Sequence, residues 1–165
     1  MRRRALASVV AMTGVVAVVL LTAFGALAGH LNAVLTTDLD GRTEVATDAT
    51  DSRIVGDPNG RAEAYVFGID GDPTTLCYVL IVDGIATAMA AHIHEGAADT
   101  NGPVVANLAA PGDGDAADCL TEGEAGKFPT GESVSDILAS PGSYYVNVHN
   151  AEYPGGAIRG QLRSH

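Results

Sequence analysis

The chain has 165 residues, with nine basic against twenty acidic side chains and a formal net charge of −11. So acidic a balance argues against nucleic acid and anionic membrane surfaces as partners, and it suits a well-solvated protein or one that attracts cations. With two cysteines and five histidines, any metal or redox chemistry must come from a handful of positions.

Arg2, Arg3 and Arg4 precede an uncharged run over residues 5–28 that ends in Ala26-Leu27-Ala28. A basic start, an apolar middle and a small-x-small ending form the layout of a secretory signal peptide. At the roughly 20 apolar residues that a bilayer-crossing helix needs, the run is also long enough to remain as an uncleaved anchor, the arginines staying in the cytoplasm. Either outcome predicts that residues 29–165 are secreted or extracytoplasmic, with the membrane met only through that N-terminal helix. This stretch is one domain in length. It retains six basic and all twenty acidic side chains, a formal charge of −14.

Residues 30–37 read as a first strand, and Asp38-Leu39-Asp40-Gly41 with the polar stretch 43–57 as turn and surface loop. Asp57-Pro58-Asn59-Gly60 opens the alternating run 61–67, which the turn at 68–73 closes. A β-branched and aromatic strand follows over 75–82, then Asp83-Gly84 as a turn and a strand over 86–94. After a Gly- and Asn-containing loop at 95–103 comes a short apolar strand, 104–108. The Gly/Asp/Pro-rich segment 111–131 reads as a long surface excursion. Residues 133–138 suit a single helical turn, a strand runs to His149, the turn Tyr153-Pro154-Gly155-Gly156 follows, and 157–162 is the last strand. About seven short strands with no long amphipathic helix predict an all-β, antiparallel sandwich or barrel.

Cys77 and Cys119 are the only cysteines, and an even count in an exported chain favours a disulfide. A cysteine metal clip is the weaker reading, because the pair lacks Cys-x-x-Cys spacing.

The histidines carry the sharpest chemistry. In Met89-Ala90-Ala91-His92-Ile93-His94-Glu95, alternation turns His92 and His94 to one face of the strand while Met89, Ala91 and Ile93 face the core. The same count in Tyr144-Tyr145-Val146-Asn147-Val148-His149 buries Val146 and Val148 and turns Asn147 and His149 outward. If the two strands are neighbours, His92, His94 and His149 gather on one outer face, sheltered by the 95–103 loop and the 153–156 turn. Three imidazoles suit copper or zinc; the alternative is that they hydrogen-bond to those loops and hold them. Glu95, Asn147, Arg159 and Gln161 complete the polar set, the last two expected in an ion pair or ladder contact. Two acidic stretches, Asp38-Leu39-Asp40-Gly41 and Asp113-Gly114-Asp115, lack the ligand register and distal Glu of a calcium loop. There is no nucleophile elbow or phosphate loop.

Four ordered motifs, Ala91-His92-Ile93-His94, Asn101-Gly102-Pro103-Val104-Val105, Tyr145-Val146-Asn147-Val148-His149 and Pro154-Gly155-Gly156-Ala157-Ile158-Arg159-Gly160-Gln161-Leu162, resemble the CHRD domain. That module is repeated in chordin and stands alone in exported bacterial proteins. The resemblance implies an extracytoplasmic β-sandwich over residues 29–165 that acts by binding an extracellular protein or ligand, with no established catalysis and no certain cofactor. A more distant likeness is to copper/zinc superoxide dismutase, which implies a Greek-key sandwich, copper ligands at His92, His94 and His149, and an anion-attracting arginine at Arg159. No histidine lies between His94 and His149 to bridge to a zinc ion.

Overall fold

The computed structural model describes residues 33–46, 54–129 and 131–165. The signal-peptide or anchor reading of residues 1–28 lies outside them. Among the described residues no helix is long and apolar enough to cross a membrane.

Besides two single 3-10 turns, Gly41–Thr43 and Pro141–Ser143, the described chain folds into nine strands and one short α-helix. In chain order they are β1 (Val34–Asp40), β2 (Arg61–Ile69), β3 (Asp72–Asp83), β4 (Ala88–Glu95), β5 (Val104–Leu108), β6 (Asp115–Thr121), α1 (Val134–Ala139), β7 (Tyr144–Asn150), β8 (Ile158–Gln161) and β9 (Arg163–Ser164). All strand pairs are antiparallel. They form one sheet in the order β5-β4-β7-β8-β1-β2-β3-β6, with β9 also on β1.

Alternation explains why the sheet curls. Leu35, Leu39, Ala62, Ala64 and Val66 from one half face the same core as Ala91, Ile93, Val146 and Val148 from the other. A flat sheet would leave one of these sets in water. Each fully buried aliphatic side chain contributes roughly 1.5–3 kcal/mol, so curling on a shared core is the stable outcome. The two edge strands are brought close to closure by the chain between them. Asn107 on β5 donates its backbone N–H to Lys127 O (2.7 Å), and Ala109 N donates to the Tyr78 hydroxyl on β3 (2.6 Å). The result is an antiparallel, nearly closed, barrel-like sheet. Helix α1 is capped by Ser133, which accepts from Ser135 N, and its buried Val134, Ile137 and Leu138 pack against β2 and β3.

Several expectations need correction. The first strand runs to Asp40, through the Asp38-Leu39-Asp40 stretch read as a turn, because Leu39 alternates inward with Leu35 and Thr37. The 111–131 segment contains β6, which pairs with β3 over seven residues from Thr75↔Thr121 to Ile81↔Asp115. Its sequence, Asp-Ala-Ala-Asp-Cys-Leu-Thr, is poor in strand formers, and partner pairing overrides that preference. Met89 does not face the core: it is 68% exposed. The β4–β7 register shifts between Ala88 and Ala90, and the bulge reverses the alternation there. The predicted disulfide is present, Cys77 with Cys119, and the two cysteines are direct cross-strand partners on β3 and β6.

Candidate functional site

Strand register assembles the site. His92 on β4 is paired with Asn147 on β7, and Asn147 in turn with Arg159 on β8, so the three form one row across the outer face of the sheet. The adjacent row is His94, Tyr145 and Gln161, and His149 lies opposite Ala90 on the other side of the first. Ile93, Val146 and Val148, which alternate with these residues, are fully buried in the barrel core. The polar set therefore lies outside the core. It is covered by the loop after β4 and the turn after β7.

Each histidine has a defined hydrogen-bond partner. His94 Nδ1 is 2.9 Å from Gly102 O, and His149 Nδ1 is 3.1 Å from Pro154 O. A carbonyl oxygen only accepts, so both Nδ1 atoms carry the proton and both Nε2 atoms keep a lone pair. His92 Nδ1 stands 3.1 Å from His149 Nε2 and donates to it. The His94 Nε2 is buried and has no hydrogen-bond partner among the described residues. Available ligand nitrogens of the three rings all lie within 4.8 Å of one another, and among the described residues no carboxylate or thiol joins them.

Burial, and then mutual repulsion among the rings, holds the His92 imidazole down to about 4. His94 and His149 are also lowered, chiefly by burial, with the Gly102 and Pro154 carbonyls opposing. All three rings are consequently neutral at pH 7, the state in which imidazole binds metal.

Arg159 is 1% exposed. Its guanidinium donates to Ala97 O and Thr100 O, both at 2.8 Å, and to Asn101 Oδ1 at 3.3 Å, and it stacks 3.4 Å above the Tyr145 ring. Of the two expected roles, ion pair or ladder contact, it takes the ladder place opposite Asn147 and Asp40; among the described residues no ion pair joins it, and these donors go to the 95–103 loop. Gln161 acts similarly: its Nε2 donates to Gly96 O (2.8 Å) and Gly142 O (2.9 Å). Asn147 is buried beside the histidines and donates to Glu44 Oε2 at 3.4 Å. Glu95 is exposed at the end of β4 and contributes only its backbone, N–H to Pro103 O at 3.0 Å.

Two participants lacked a readable signal. Tyr145 stacks on His94 and accepts from Gly102 N–H at 3.2 Å; beside Tyr144, it looks like an ordinary strand aromatic. Glu44 lies in an irregular stretch with no periodicity. Its carboxylate sits where a Cβ on Gly156 would fall, and burial raises it to about 7 against the pull of Arg159 and Asn147.

The fold and site together define a small antiparallel β-module carrying a histidine cluster on its outer face, braced by a buried arginine. Residues 35–162 match the family model of the CHRD domain. The chain belongs to the CHRD domain family. No curated protein and no solved structure matches it.

Proposed function

We propose that this chain is an exported CHRD binding module without turnover, and that the ligand of its outer-face cluster is a copper or zinc ion held by His92, His94 and His149. One observation carries the reading: three neutral imidazoles offer nitrogens within 4.8 Å of one another, one of them buried with no hydrogen-bond partner among the described residues. The His92 and His149 nitrogens, 3.1 Å apart, have the spacing of two ligands each about 2.0–2.1 Å from one ion. The carbonyls on His94 and His149 are the outer partners that orient metal-binding imidazoles. In this reading the loop-holding role and the metal role coexist in His94 and His149, because Nδ1 serves one and Nε2 the other, while His92 would bind through Nδ1.

Export is supported by the N-terminal segment and the disulfide. The strand order is compatible with the Greek-key topology of the dismutase-like sandwiches. Dismutase turnover is not part of the proposal, since Arg159 has no exposed guanidinium to attract an anion. The test is metal analysis of protein made without a His tag and challenged with copper and zinc. One equivalent bound, and lost in His94→Ala, is the expected result. No uptake, or uptake unchanged in that variant, overturns it.

A further inference from the structure

We infer that the His92/His94/His149 cluster is a cuprous site, binding Cu(I) in preference to Cu(II) and Zn(II). The inference rests on the metal-binding reading above and narrows it to one ion. Charge is the first argument. Among the described residues every ligand in the cluster is a neutral imidazole, and no carboxylate or thiolate oxygen or sulfur lies with them. The outer partners of His94 and His149 are backbone carbonyls, so they add no negative charge. The charged side chain in direct contact with this wall is a cation, Arg159, which stacks on Tyr145, the ring on which His94 also stacks, and which itself interacts with Glu44 and Asp99. Glu44 is not among the ligating groups; its hydrogen bond on this face is to Asn147. The cost of taking an ion out of water grows with the square of its charge, so such a half-buried site penalises a divalent ion far more than a monovalent one.

Coordination number is the second argument. The cluster supplies three nitrogens on two adjacent strands, with His94 Nε2 sealed from solvent. Cu(II) favours tetragonal geometry with four or more ligands, and zinc completes a tetrahedron. Cu(I), with a filled d shell, is satisfied by two or three. Binding asks only that the His92 proton move from Nδ1 to Nε2, which frees the nitrogen now donated to His149.

The test is a set of chelator competitions on tag-free protein. Cu(I) is measured anaerobically against bicinchoninate, Cu(II) against nitrilotriacetate, and Zn(II) against a chromophoric zinc chelator. The expected result is Cu(I) affinity at least tenfold above that for Cu(II) or Zn(II), lost in both His94→Ala and His149→Gln while the circular dichroism is retained. Equal or tighter binding of either divalent ion overturns the cuprous assignment and leaves the metal-binding reading standing. Failure of all three ions to bind, or binding unchanged in both variants, removes the two together.

Discussion

His94 and Tyr145 lie face to face, ring centroids 4.8 Å apart and planes within 6° of parallel. The contact is one link of a closed circuit. Tyr145 accepts from Gly102 N–H, Gly102 O receives the His94 Nδ1 proton, and Arg159 covers Tyr145 while gripping Ala97, Thr100 and Asn101 of the same loop. No member can move without breaking a bond to another.

Arg159 should therefore be a positioning residue for the loop. Arg159→Met removes three hydrogen bonds, to Ala97 O, Thr100 O and Asn101 Oδ1, from a charged donor that is itself buried, a loss of about 3 kcal/mol. Arg159→Lys should recover little, because a point charge cannot reproduce the fork. Chemical denaturation gives the stability, and amide exchange over residues 96–103 should accelerate in both variants. Unchanged exchange there would remove this role.

The histidines make stability fall with acid. A group whose folded value is depressed, as His92 is to about 4, stays neutral in the folded state while the unfolded chain takes up a proton near 6.5. The unfolded state then binds more protons, so stability is complete above about pH 6.5 and declines as the pH drops toward 4. Thermal melts across that window should show the decline, and His92→Gln should flatten it.

Glu44 works in the opposite direction. Its folded value, about 7, lies above the ordinary 4.5. The folded state retains a proton that the unfolded state has lost, so its contribution is present below about pH 4.5 and disappears as the pH rises through 7. Glu44→Gln keeps the shape and can still accept from Asn147. It should match the parent near pH 5 and exceed it at pH 8 by on the order of 2 kcal/mol. A variant less stable than the parent at pH 8 would contradict the assignment.

Opening the disulfide should cost about 4 kcal/mol by the chain-entropy estimate, the linked residues being 42 apart in sequence. Denaturation of Cys77→Ser/Cys119→Ser against the parent measures it. Amide protection should drop first in Asp115–Thr121, since among the described residues β6 has a strand neighbour only at β3.

Most of the site was readable because it rests on period-two alternation in strands that keep their register. His92, His94, Asn147 and His149 alternate with Ile93, Val146 and Val148, which are fully buried, and this alone sets which way each points. Met89 failed where the rule fails, at a bulge, since nothing in Ala88-Met89-Ala90 announces an extra residue. β6 was hidden because Asp115, Asp118 and two alanines carry little strand preference, and its pairing with β3 is decided across the sheet. Glu44 could not be found from sequence at all: its burial comes from Gly156 and Asn147, more than 100 positions away.

The position of the Cys77–Cys119 bond has a consequence for how the molecule behaves in a crowd. β6 ends the strand order, and an unpaired edge is where a second chain can add a strand and begin a fibre. Here that edge carries Asp115 and the Asp118–Lys127 ion pair (3.0 Å), and its centre is covalently tied to β3. An oxidised molecule cannot release β6 to trade it with a neighbour, and an incoming strand meets charged side chains along the edge. The same bond that holds one strand in place thus guards each molecule against polymerising with its copies.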